Sequence, residues 1–327
     1  MSAALTVRNL PTVSPWVGFG VRRFGRLLVS LWVLLTASFA MIHLIPGDPV
    51  RGALGPTAPA ELVEARREAL GLNDPLAVQY LHYVKGLLTG DLGTSLASRL
   101  PVSDVIAQRL PATLTLAVLA FLAAVLIAIP LGVTMGVLTR RGHGSRTEVA
   151  FTTSSTVVAT VPDFLIGVAL VYVFGILLGW LPIAGNDTAA AYLLPVLSLA
   201  IGPAAILARI VRVEMTSVLE ADFVRTARAK RLPARSIYLR HALPNAVTGA
   251  LTVGGLLLSA MVAGTVLVEN VFAWPGLGST IVSAILTKDY PVVQAIVLVY
   301  GVGVLLTNLV VDVFLALLDP RSTIREG

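Results

Sequence analysis

The chain contains no cysteine. Disulfides, thiolate metal sites and cysteine nucleophiles are therefore excluded, and the redox compartment cannot be read from cysteine usage. Charge is scarce as well. Asp, Glu, Lys and Arg make up 13% of the 327 residues, about half their share in an average soluble domain. So few charges cannot cover a water-facing surface, and a chain this apolar is not disordered. Histidine occurs only at His43, His82, His143 and His241, too far apart to form a local ligand motif. Neither H-E-x-x-H nor G-x-x-x-x-G-K-[ST] is present, so no zinc-protease helix and no P-loop for ATP is expected. No metal site and no cofactor bound by this chain follows. A membrane-embedded enzyme would need a catalytic constellation that the sequence does not offer.

What the chain has is apolar length. Hydrophobic residues are 56% and the mean hydropathy is +0.86. Six stretches approach or exceed the roughly 20 apolar residues that a helix needs to cross a bilayer: 27–45, 111–139, 149–182, 189–208, 247–268 and 291–318. The expected class is an all-α polytopic membrane protein with six transmembrane helices. Arg22, Arg23 and Arg26 precede the first stretch, and Ser38 and Ala40 fit a small-x-small cleavage pattern. The apolar run continues past them to Ile45, which suits an uncleaved anchor better.

Basic residues set the orientation. With the long first loop left aside, as the positive-inside rule requires, seventeen lie on one side and only Lys288 on the other. Both termini are therefore expected in the cytoplasm. The net charge of +6 reflects these loops rather than a nucleic-acid partner. The expected organisation is a cytoplasmic N-terminus at 1–26, a first span at 27–45 and an external segment at 46–110. A core holding the other five spans follows at 111–318, and a cytoplasmic C-terminus at 319–327. In the external segment, 61–70 and 75–88 read as helices. Gly90-Asp91-Leu92-Gly93 reads as a turn.

The cytoplasmic segment at 213–244 is the most informative. Leu219, Phe223, Val224 and Ala227 recur at helical spacing. Arg231-Leu232-Pro233 breaks that helix, and Pro233 can open a second, with Ile237, Tyr238 and Ala242 on one face and an end near Leu243-Pro244. Such an elbow fits two roles: a basic element lying on anionic lipid, or a docking surface for a cytoplasmic partner.

Arg225-Thr226-Ala227-Arg228-Ala229-Lys230-Arg231-Leu232, followed by His241-Ala242-Leu243-Pro244, resembles the EAA loop of ABC importer permeases. Arg225-Thr226-Ala227 fall on the E-A-A positions, and Arg231 stands where the family has glycine. His241, Leu243 and Pro244 fall on the closing I, L and P. Further motifs keep the family's order and spacing. They include Pro46-Gly47-Asp48-Pro49, Gly71-Leu72-Asn73-Asp74-Pro75, Gly90 to Ser95, Glu269-Asn270-Val271-Phe272-Ala273-Trp274-Pro275-Gly276-Leu277-Gly278, Asp289-Tyr290-Pro291 and Leu318-Asp319-Pro320-Arg321. The chain resembles the dipeptide/oligopeptide/nickel branch over nearly its whole length.

The resemblance implies a type I ABC importer permease fold and a pore shared with a second homologous permease. Two ABC ATPases, which carry ATP and Mg, would dock on the elbow. An external substrate-binding protein would deliver the cargo, with membrane lipid around the spans. The chain itself would catalyse nothing. Peptide is the default cargo of the branch, with glutathione, haem and nickel chelates as alternatives. An ion-coupled secondary transporter is the rival from another class, although Asp163 and Asp312 are the only acids well inside the spans.

Asp163 lies fourteen residues beyond Val149, about 21 Å along a continuous helix. A carboxylate there is costly and should face a cavity or a partner. It is a candidate for the translocation pathway, meeting a cationic group of the cargo; the alternative is a cap on the helix after Pro162. Asp312 reads as a structural contact. Glu269, at the external end of the fifth span, is either a second pathway candidate or an anchor for the loop. Trp274 reads as an interfacial aromatic. Ile281, Val282, Ile285 and Leu286 form one face of a short helix that either lies in the interface or gates the outer mouth.

Overall fold

The structure is a computed structural model that describes residues 15–44, 49–55, 57–69, 71–140 and 144–318. Expectations that fall on the N-terminal tail, on Pro46-Gly47-Asp48 and on 319–327 lie outside the described residues. Thirteen α-helices follow in chain order among them. The first four are α1 (Pro15–Leu44), α2 (Pro49–Leu54), α3 (Ala60–Ala69) and α4 (Leu76–Thr89). Next come α5 (Val102–Leu138), α6 (Ser145–Thr160), α7 (Asp163–Leu170) and α8 (Leu193–Val218). The last five are α9 (Asp222–Ala229), α10 (Ala234–Ser236), α11 (Leu243–Val271), α12 (Leu277–Leu286) and α13 (Tyr290–Leu318). Five helical stretches among the described residues are long and apolar enough to cross a bilayer, or six when the bent pair α6–α7 counts as one span.

The bundle core is the pairing of α5 with α8. A face of small residues on α5, Ala117, Ala120, Ala124, Ala128, Gly132 and Gly136, is buried. It meets Ala200, Ala204, Ala208, Val211 and Met215 of α8, which are also buried. Small residues at this spacing let two backbones approach closely, which replaces the hydrophobic drive that lipid does not supply. α11 and α13 complete the bundle. α1 lies at the periphery, tied to α13 by Ser38 and Gln294, whose polar side-chain atoms each donate to the other's carbonyl at 3.3 Å. At the other end of α1, Arg23 forms an ion pair with Asp312. The structural role expected for Asp312 thus has a named partner.

The helix that carries the second apolar stretch runs from Val102, with Pro111 inside. Two expectations need correction. The third span is not straight. Proline disfavours helical backbone in the residue before it, so Val161 is extended (φ −73°, ψ 124°). α6 and the helical stretch 163–177 that begins with α7 then meet at 94°. Asp163 therefore opens a new helix rather than lying 21 Å along an old one. The second elbow helix does not end at Leu243-Pro244. α10 passes through a π-helical turn at Ile237–Ala242 directly into α11. In the segment expected outside the membrane, α3 and α4 lie within a residue or two of the stretches expected. Gly90 takes the left-handed conformation (φ 79°) that closes α4.

Candidate functional site

The elbow is built on a thin buried keel. Leu219, Val224, Ala227, Ile237, Ala242 and Ala246 pack together with Met215 of α8, against Val133 and Val137 of α5. Phe223, expected on that buried face, points outward and is 46% exposed. On a helix this short the apolar stripe is narrow, and Val224 and Ala227 already fill it.

The bend itself is an α-helical C-terminal cap. The Leu232 amide donates to the Ala227 carbonyl at 3.3 Å and the Arg231 amide to the Arg228 carbonyl at 2.9 Å. This is the Schellman pattern, which requires a left-handed residue between the helix and the chain that leaves it. That residue is Arg231, with φ 56°. The turn that glycine would favour is thus kept by an arginine, at a backbone cost of about 1 kcal/mol or more.

The exposed side of the elbow carries Arg225, Thr226, Ala229, Lys230, Arg231 and Leu232, with Pro244 at the following helix start. Arg228, His241 and Leu243 are half-buried, and Ala227 is buried. Leu239 is exposed beside this row. Cations thus alternate with apolar side chains on a rigid bend. Two contacts fix the elbow to the bundle. Arg140 Nη1 donates to the Tyr238 hydroxyl at 3.1 Å. The Arg228 guanidinium donates to the Leu219 carbonyl at 3.4 Å. Nearby, Arg212 of α8 pairs with Glu148 of α6 and donates to Thr139 at 3.1 Å. No sequence pattern flagged that bracket.

At the other end of the molecule, Glu269 is fully buried. Its Oε1 accepts from the Thr113 hydroxyl at 2.7 Å. Its Oε2 accepts from the Gly278 amide at 2.7 Å and the Ser279 amide at 3.1 Å. A carboxylate over the first amides of α12 completes the open end of that helix. Gly276 and Gly278 are required by this approach, since a Cβ on either would come within 3.0 Å of Glu269 Oε2. The structure thus ties Glu269 to the loop it closes, buried among donors of its own chain.

Trp274 is likewise not an interfacial aromatic. It is 1% exposed, donates from Nε1 to the Ala112 carbonyl at 3.1 Å and stands edge-on to Tyr192 at 4.7 Å. On α12, Ile285 and Leu286 are exposed while Leu277, Gly278 and Ala284 are buried.

A second buried carboxylate, Asp289, sits just beyond α12. It accepts from the Ser95 hydroxyl, from the Leu96 amide at 2.9 Å and from the Ala97 amide at 3.3 Å. It ties the segment Ser95–Ala97 to the α12–α13 corner. Both ends of this contact lie in segments noted above, but 194 residues apart they gave no sign of touching.

Asp163 lies between these ends. The Ser198 hydroxyl donates to its main-chain carbonyl at 2.6 Å, which pins the break to α8. Its carboxylate occupies a notch: a Cβ at Gly202 of α8 would lie 3.2 Å from Oδ1, and one at Gly264 of α11 would lie 3.5 Å from Oδ2. Among the described residues the carboxylate forms no ion pair. No hydrogen bond joins Asp163 to Glu269; Asp163 lies against Gly264, in the same half of α11 as Glu269. No group of His, Asp and Glu among the described residues is arranged to hold a metal.

Similarity to known proteins agrees with this arrangement. Residues 128–324 match the family described as binding-protein-dependent transport system inner membrane component. Residues 17–117 match that family's N-terminal region. The chain is 38% identical over 304 residues to the glutathione transport system permease protein GsiC of Salmonella choleraesuis, covering 93% of this chain and 98% of that one. It is 37% identical over the same length to GsiC of Escherichia coli K12. A structure of the MetNI methionine ABC transporter in an inward-facing conformation matches with a TM-score of 0.55 and 18% identity, over 66% of this chain and 96% of that chain. The last similarity concerns the fold alone. With helices of this order and matches over nearly its full length, the chain belongs to the inner-membrane permease components of binding-protein-dependent ABC importers, in the peptide/nickel family.

Proposed function

We propose that this chain forms half of the translocation pathway of an importer for glutathione or a short peptide of similar chemistry. The identity to the glutathione permeases over 304 residues carries this reading. Glutathione is itself a tripeptide, so the narrower cargo falls within the peptide default of the branch. A second homologous permease completes the pore, and an external binding protein delivers the cargo. Two cytoplasmic ATPases bind and hydrolyse ATP with Mg.

The ATPases dock on Arg225–Leu232 and the start of α11. There, exposed cations beside Phe223 and Leu232 suit a groove with acidic margins, and the Schellman bend fixes their relative positions. Closure of the ATPase dimer displaces the elbow, and α11 carries that displacement to the outer end. A mechanism of this kind needs contacts that differ between two states. Asp163 faces the pathway in one of them and meets the ammonium group of the cargo.

Uptake of labelled glutathione and dipeptides by proteoliposomes holding the whole transporter and its binding protein tests the reading. ATP-dependent accumulation of either supports it. Accumulation driven by an ion gradient without ATPases would replace it with a secondary transporter. For Asp163, the Asp163→Asn variant is expected to lower uptake of cargo bearing a free ammonium about tenfold and to spare an N-acetylated analogue. Equal uptake of both would leave Asp163 as a helix cap.

A further inference from the structure

A cavity of about 360 Å³ opens between α1, α11 and α13 near the arginine-bearing end of α1. Its lining divides sharply in character. Leu27, Leu256, Leu305 and Leu309 form apolar walls, while Arg23, Arg26 and Asp312 stand in the same cavity. Asp312 is taken by Arg23, so that pair is neutral overall. Arg26 remains, with no ion-pair partner among the described residues. The uncharged run of α1 begins just after Arg26, and the Arg26 side chain is exposed, so the guanidinium stands at the edge of the apolar run, where an anionic headgroup can meet it.

The side chains of Ser30 and Asn308 add hydrogen-bonding groups to the lining. The Asn308 amide already turns its oxygen to the Ser259 hydroxyl, which leaves its N–H₂ group as donor. Two donors and an uncompensated guanidinium suit a phosphate, and four leucines suit a hydrocarbon chain. A free phosphate would leave the leucine walls wet, and a neutral amphiphile would leave Arg26 uncompensated.

We infer that this cavity is a binding site for an anionic phospholipid. Its phosphate sits against Arg26 with Ser30 and Asn308, and its acyl chains lie along Leu27, Leu256, Leu305 and Leu309. Basic pockets between transmembrane helices are known to hold such headgroups. The lipid fills the wedge that α1 leaves against α11 and α13, and so fastens a helix that otherwise touches the bundle along one side.

The test is lipid retention by the assembled transporter, read by native mass spectrometry after exchange into phosphatidylglycerol or phosphatidylcholine. Phosphatidylglycerol is expected to remain bound and phosphatidylcholine to wash out. Arg26→Gln should lower phosphatidylglycerol retention about fivefold, the effect of one basic residue at a membrane surface. Thr252→Phe, which fills the cavity from α11 and keeps every charge, should lower it comparably. Thermal unfolding in phosphatidylcholine, unchanged by either substitution, shows that both variants fold. Equal retention of the two lipids, or unaltered phosphatidylglycerol retention in either variant, would overturn the inference. So would stabilisation by inorganic phosphate alone, or a cavity empty of lipid in the assembled transporter because a neighbouring helix occupies it.

Discussion

The two ends of α11 are built on opposite plans. At the C-terminal end, which the distribution of basic residues assigns to the outer side, Glu269 and Asp289 are buried, and each accepts three hydrogen bonds from within the chain. At the elbow, six small and medium apolar side chains hold the bend in place, and most charged groups stand outside. The outer end is complete in itself. The elbow is complete only in its backbone, and under the proposed function its exposed side chains are the ones the ATPases meet. Self-satisfied polar groups indicate a part that must keep its shape, whereas an exposed row on a fixed bend indicates a part that must be gripped.

This contrast predicts which substitutions unfold the protein and which only uncouple it. The largest effect is expected from Glu269→Ala. It leaves Thr113 and the amides of Gly278 and Ser279 buried without an acceptor, at about 1–3 kcal/mol for each unsatisfied group. A loss of at least about 3 kcal/mol should appear as a lower thermal midpoint of the purified transporter and as poor membrane yield. A midpoint equal to wild type would mean that water replaces the carboxylate and that the outer end is not closed.

Next comes the double substitution Phe223→Ser with Leu232→Ser, both on exposed positions. The thermal midpoint should hold within the ±0.5 kcal/mol usual for surface changes. ATP-driven uptake should fall about tenfold, a difference of about 1.4 kcal/mol in coupling. If stability fell and uptake did not, the elbow would be a structural element only.

The smallest effect concerns Arg231. Glycine adopts φ near +60° without the clash of a Cβ, so Arg231→Gly should stabilise the fold by about 1 kcal/mol in thermal unfolding. The same substitution removes one cation from the docking row. Raised stability with lowered ATPase affinity would separate the backbone role of this position from its side-chain role. Unchanged affinity would assign the arginine no part in docking.

Much of this architecture is legible in the sequence. The spans are visible because apolar runs of such length have few other uses, and α3 and α4 because capping and turn residues bound them. The failures have identifiable causes. The second apolar run is bounded at Pro111 by the charge of Arg109, yet its helix had begun at Val102, because a helix can extend beyond the uncharged run it carries. Pro162 sits in an apolar run that continues on both sides, so the run masked a bend of 94°. Leu243-Pro244 read as a stop, but the π-helical turn just before it carries the helix through. Trp274 looked interfacial because tryptophan commonly is; only the positions of Ala112 and Tyr192 show that it is enclosed. At the candidate site, motif order marked the elbow residues, and the requirement for a left-handed residue at 231 was visible from the glycine it replaces. The partners of Glu269, Asp289 and Asp312 lie on distant segments, and one sequence holds no record of such pairings.

The uninterrupted helical path from Ala234 to Val271 has a mechanical meaning. Its 38 residues make a strut about 57 Å long, rooted at one end in the bend that opens with Pro233 and at the other in the Glu269 clamp. A strut transmits thrust and torque but stores little of either, so its two ends cannot move independently. The π-helical turn at Ile237–Ala242 is the break in that regular geometry, and slack in the stroke would accumulate there.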